Sequence, residues 1–93
     1  MKITGYYIYH MRRHAFLIRA QVFKVPRYGL EPGQLYMRWT RGTVYAQRYA
    51  NASAARRMAA RINAQLGMRL VRAVDQWEAE SIERGIRLER TRD

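Results

Sequence analysis

Ninety-three residues without a cysteine make one small domain held by packing alone, which excludes disulfide staples, thiolate metal sites and cysteine nucleophiles. With 48% hydrophobic residues the chain is too apolar for disorder. Its apolar runs are too short for a membrane span and residues 1–10 lack a signal-peptide core, so a soluble cytoplasmic protein is expected, yet eighteen Lys and Arg against seven Asp and Glu leave it at +11.

Residues 3–12 and 15–25 are rich in Tyr, Ile, Val and Phe and read as two strands. In the second, Phe16, Ile18, Ala20 and Val22 alternate with Leu17, Arg19, Gln21 and Phe23, which assigns the even-numbered side to the core. Arg12-Arg13-His14 contains neither Gly nor Asn but joins the two strands as a hairpin with a basic tip. Residues 25–34 hold both prolines and two glycines and read as a loop. Residues 35–39 alternate as a third strand, and residues 40–43 turn at Gly42. Residues 44–49 then follow, either as a short fourth strand or as an irregular lead-in to a helix.

Asn51 is a strong N-cap residue before an alanine-rich run, and Gly67 is placed to end it. At about 100° per residue, Ala55, Met58, Ala59, Ile62 and Leu66 share one apolar arc, with Arg56, Arg57 and Arg61 opposite. Burying the arc turns the arginines outward. Residues 68–74 alternate as a last strand, and Asp75-Gln76-Trp77-Glu78 has the spacing of a capping box. The helix that follows carries Glu80/Arg84 and Glu83/Arg87 pairs in the favourable order. Its apolar stripe of Ala79, Ile82 and Ile86 is thin and Gly85 weakens it, so fraying is expected beyond about residue 88. The elements add up to a two-layer α+β domain: a small antiparallel sheet of four to five strands packed by one amphipathic helix, plus a C-terminal helix.

The charge divides unevenly along this order. Residues 1–74 form a basic body with fourteen Lys and Arg and one acid, Glu31, whereas residues 75–93 form an acidic-to-mixed helix or tail with four basic residues and six acids. A body at +13 repels itself far beyond what solubility needs, and a polyanionic partner is the simplest reason for it. Drift toward arginine codons accounts for the scarcity of lysine but not for the missing acids. Candidate contacts are Arg56, Arg57 and Arg61 along the helix, Arg12 and Arg13 at the hairpin tip, and Arg41, Arg48 and Tyr45 around residues 41–49. Tyr45 and Tyr49 would share one strand face with Arg48 on the other; they either display rings for stacking or pack under the helix. Tyr6, Tyr7 and Tyr9, close to Arg12 and Arg13, suit single-stranded nucleic acid and equally suit an ordinary strand.

Residues 41–49 followed by a helix bearing Ala55 resemble the second half of an RNA recognition motif over about a quarter of the chain. Thr43 and Arg48 stand where that motif has aromatics, and two strands stand where it has a strand and a helix, so the family is not assigned. Residues 35–74, with their Trp-ended strand, Tyr49, Asn51 cap and Ala-rich helix ending in Gly67, resemble small accessory proteins of phages and prophages, some of them anti-CRISPR inhibitors. That resemblance implies a context and no particular mechanism.

Catalytic chemistry finds little support. Glu31 is the only carboxylate before residue 75, which rules paired carboxylates out of the body, and Ser53 and Ser81 have no histidine nearby in sequence. His10 and His14 have the spacing of a helical metal pair but straddle a strand end without a third ligand, so they read as turn histidines. No enzyme activity, cofactor or metal is expected. The leading expectation is a binding module, monomeric or a small homo-oligomer, that docks on nucleic acid or a nucleoprotein complex. The alternative is a protein–protein inhibitor or adaptor acting on a host defence protein without nucleic-acid affinity of its own. A third is self-assembly, with one copy's acidic tail on another's basic body.

Overall fold

A computed structural model describes residues 5–22 and 33–91, with side chains through residue 86. The elements run β1 (Tyr6–His10), β2 (Ala15–Val22), β3 (Leu35–Thr40), α1 (Ala52–Leu66), β4 (Val71–Asp75) and α2 (Gln76–Thr91). Four strands form one antiparallel sheet in the order β3-β2-β1-β4, so the chain is α+β as the sequence predicts. Residues 3–4 of the predicted first strand and residues 23–32 of the second strand and the proline-rich loop lie outside the described residues.

The two-layer expectation is corrected to three layers, because the two helices cover opposite faces of the sheet. Ile8, Leu17, Leu35 and Val71 pack with Ala59 and Ile62 of α1. Tyr9, Phe16 and Val74 pack with Ala79 of α2, and Tyr7 and Ile82 border them. Successive strand residues point to opposite faces, so Ile8 and its neighbour Tyr9 serve different cores. Phe16, Ile8, Leu17, Leu35, Ile62, Val71 and Val74 are fully buried, each contributing roughly 1.5–3 kcal/mol of hydrophobic stabilisation.

This arrangement also corrects the even-numbered core face of β2. Phe16 and Leu17 are both completely buried, one under each helix. A bulge between Leu17 and Arg19 then shifts the register, so that Ala20 and Val22 stand opposite Met37 and Leu35 on the α1 side while Arg19 stands opposite Arg38. A single-face alternation cannot describe a strand that is buried on both sides at one end and kinked in the middle.

The β1–β2 hairpin pairs at only two positions, Tyr9 with Phe16 and His10 with Ala15. Its turn places His14 at φ 52°, a left-handed conformation usually left to Gly or Asn, and the Tyr9 hydroxyl meets His14 Nδ1 at 3.0 Å. Beyond the two pairs β1 and β2 diverge, and the 41–50 segment enters the gap: Gln47 N–H donates to the Leu17 carbonyl (2.8 Å), and Tyr6 and Tyr49 exchange backbone hydrogen bonds (2.8 and 3.0 Å). The fourth-strand reading therefore reduces to this isolated bridge, and the irregular lead-in is what the chain adopts. A turn bond from Ala46 N–H to the Thr43 carbonyl (3.2 Å) bends residues 43–46 out of any ladder.

Both helix starts follow the sequence. Asn51 Oδ1 accepts from Ala54 N–H (2.8 Å), and Gly67 ends α1 at φ 74°. Asp75 Oδ1 accepts from Glu78 N–H (2.9 Å), but the Glu78 carboxylate pairs with Arg72 (2.8 Å) instead of closing the capping box. In α2, Arg84 reaches Ser81 at 3.5 Å and forms no ion pair with Glu80, the Arg87 side chain lies outside the described residues, and the helix continues to Thr91.

Two side-chain amides fasten α1 across the sheet. Gln65 accepts from Leu35 N–H (2.6 Å) and donates to its carbonyl (2.9 Å) on β3. Asn63 accepts from Leu70 and Val71 N–H (2.8 and 3.0 Å) and donates to the Val71 carbonyl (3.0 Å) on β4. Asn63→Ala would strand these half-buried backbone groups, and the expected loss is about 2 kcal/mol, read as a lower urea midpoint at unchanged slope.

His10 gives stability a pH dependence. It is buried edge-on against Trp39 (ring centroids 5.1 Å), and its Nδ1 accepts from Arg13 N–H (3.1 Å), an acceptor role only the neutral ring can play. Burial first, then the Arg13 and Arg12 charges, hold its pKa below 6.5. Folding thus favours the neutral ring: the contribution is intact above the unfolded pKa and is lost as pH falls through the lower folded one. Denaturant titrations should show the difference in stability between wild type and His10→Gln steady above pH 7 and shrinking below about 6.5.

Candidate nucleic-acid interface

The pattern that buries Ala55, Ala59 and Ile62 exposes Arg56, Arg57 and Arg61, as the helical arc requires. The three do not form one narrow stripe. Five residues separate Arg56 from Arg61, so they diverge by about 140° around the axis. Arg56 leans toward β4, and Arg61 lies on the side nearer Gln65 and β3.

Arg56 lines a groove of about 410 Å³ between α1 and β4, together with Ala59, Ala60, Asn63, Arg69, Val71, Arg72 and Ala73. Arg69 and Arg72 line the groove though the sequence reading did not single them out, and the Arg72 guanidinium turns to Glu78 of α2. Their alternation with apolar residues was visible, but their position beside an open groove depends on β4 being an edge strand, a property of strand order. Arg12 and Arg13 are exposed in the hairpin turn, and a bond from Met11 N–H to the Leu70 carbonyl (2.8 Å) brings that turn to the Arg69 end of the groove. The structure therefore assembles Arg12, Arg13, Arg56, Arg57, Arg61 and Arg69 on the α1 side and its adjoining end.

Arg41, Arg48 and Tyr45 belong elsewhere. Glu83 of α2 accepts from Thr43 N–H (3.4 Å) and Thr43 Oγ1 (3.0 Å), and Ala46 packs in the core beneath α2, which fixes the turn to the opposite side of the sheet. Tyr45 is 77% exposed there beside Val44 at 81%. Arg48 is exposed and lays its aliphatic stem where a β-carbon on Gly5 would stand. Arg19 and Arg38, directly opposed and exposed on β2 and β3, add a like-charged pair on this second side. The candidate residues thus divide between two surfaces.

Tyr45 and Tyr49 do not share a face. Tyr49 packs under α1, whereas the 43–46 turn carries Tyr45 into solvent. Tyr6 and Tyr7 are half-buried and Tyr9 is buried beneath α2, so the tyrosines of β1 build core more than they display rings.

Electrostatically the α1 side has few counter-charges. Among the described residues one ion pair is present, Arg72 with Glu78. The first turn of α1 carries no acid to offset the positive end of its dipole. The described residues include no cluster of three or more His, Cys, Asp or Glu able to hold a metal, and no described helix is long and apolar enough to cross a membrane. The Tyr49 hydroxyl is buried without a hydrogen-bond partner among the described residues, and burial raises its pKa. Tyr49→Phe removes that unsatisfied group while keeping the ring, so thermal unfolding should find the variant as stable as the parent or up to about 1 kcal/mol more so.

No family model, curated protein or solved structure matches the chain, so any functional reading rests on these residues alone.

Proposed function

We propose that the protein is a non-enzymatic basic module that docks through its α1 side on nucleic acid, free or within a nucleoprotein complex, in the manner of the small accessory proteins that phages encode. One observation carries this reading: Arg56, Arg57 and Arg61 stand outward on a helix whose apolar arc is anchored to the sheet, with no ion pair to a described carboxylate. Groups so placed meet phosphates without reading bases, so binding is indifferent to sequence and sensitive to salt. Arg12, Arg13 and Arg69 extend the same surface at one end.

A second reading, an inhibitor or adaptor acting on a host defence protein, draws on the exposed Val44 and Tyr45. A rigidly clamped turn presenting an aromatic ring has the form of a protein–protein anchor. Pull-down from nuclease-treated extract separates the two readings, because a complex lost with the nucleic acid supports the first.

Titration with a generic duplex and a single strand at several salt concentrations tests the proposal. Affinity should fall steeply with salt, and Arg57→Ala/Arg61→Ala should lower the slope of log K against log salt by about two, as for two lost phosphate contacts. Arg41→Ala/Arg48→Ala, on the other side, should leave the slope unchanged. Absence of binding at low salt, or binding insensitive to salt, would overturn the proposal.

A further inference from the structure

The groove between α1 and β4 has a backbone chemistry that the phosphate-binding reading does not use. At the two ends of the β1–β4 ladder, Met11 N–H donates to the Leu70 carbonyl and Gln76 N–H to the Gly5 carbonyl. Bonded and non-bonded pairs alternate in an antiparallel ladder, so Tyr9–Arg72 and Tyr7–Val74 bond between those ends, while Val71, Ala73 and Asp75 turn their N–H and C=O groups away from β1. The Tyr6–Tyr49 bridge agrees with this phase, since Tyr6, opposite Asp75, bonds on its other edge.

At Val71 the outward groups are already satisfied. The Asn63 amide accepts from Val71 N–H and donates to its carbonyl, filling the place of one residue of a neighbouring strand. At Ala73 no described residue does so. Ala73 lines the groove, and the α1 residues that line it with Ala73 include the small side chains Ala59 and Ala60. Arg56 and Arg69 stand along the same groove, lined by no carboxylate.

We propose that this groove is a strand-docking site in which an extended acidic segment of a partner protein adds to β4 as a fifth strand, with Asn63 as its end stop. The hydrogen bonds come from Ala73, as in other edge additions. Acidic character follows from charge: Arg56 and Arg69 would repel the same edge of a second copy, a usual guard against self-pairing, and attract carboxylates flanking an incoming strand. The site shares Arg56 and Arg69 with the proposed phosphate surface, but its hydrogen bonds come from the β4 backbone and need neither Arg57 nor Arg61, so it survives the failure of those contacts.

The test uses the whole protein, 15N-labelled, with three probes: an alternating Glu-Val peptide of eight residues, the matching Lys-Val peptide, and an oligo-dT strand. The Glu-Val peptide should slow hydrogen exchange at Ala73 N–H, and Arg69→Glu, a change at an exposed side chain, should weaken its binding about tenfold. Ala73→Pro, which removes only an outward N–H on an edge strand, should abolish binding with the fold intact by circular dichroism. Unchanged exchange at Ala73 when the Glu-Val peptide is present at millimolar concentration would overturn the proposal, as would equal binding of the Lys-Val peptide. Protection of Ala73 by oligo-dT alone would also overturn it and assign the groove to the nucleic-acid surface.

Discussion

The central constraint in this domain is that β1 is occupied on every side. Ile8 points into the core beneath α1, Tyr7 and Tyr9 point beneath α2, one edge bonds β4, and the other bonds first β2 and then the incoming residue Tyr49. Five residues thus fix two helices, two strands and a segment of irregular chain. Because both faces are covered near β1, the apolar positions closest to it turn inward, and the guanidinium groups share the remaining surface with exposed side chains such as Leu66 and Trp77.

That geometry explains the electrostatic character without a dedicated basic motif. Arginine tolerates this role well because its stem covers apolar surface while its head stays in water, as Arg48 does across Gly5. The charge is nevertheless partitioned. Glu83 pins the 41–46 turn to one side, and the Asn63 and Gln65 amides pin α1 to the other, so arginines adjacent in the chain's charge tally end up on different surfaces.

Much of this was legible in the sequence wherever a local rule sufficed. Asn51 and Gly67 bracketed α1, Asp75 marked the start of α2, and the helical period separated Ala55, Ala59 and Ile62 from Arg56, Arg57 and Arg61. What escaped depended on partners distant in the chain. The bulge at Ile18 flips the face of β2 midway, and no pattern of alternation announces it. Residues 44–49 carry strand-forming side chains but meet a gap between strands that leaves space for one bridge. The groove beside β4 exists because the strand order puts β4 at an edge, so Arg69 and Ala73 looked ordinary in sequence.

The strand order has a consequence for how the chain reaches this state. The hairpin that could form earliest holds only two paired positions, and the gap beyond it is filled by residues about thirty positions later. The first strand's remaining edge waits for residues 71–75. Closure of the sheet therefore requires contacts far apart along the polypeptide, which slows the search and leaves the central strand's edges open in any partial chain. A nascent copy emerging from the ribosome would have to keep those tyrosine-rich edges from pairing elsewhere until residues 71–75 had also emerged.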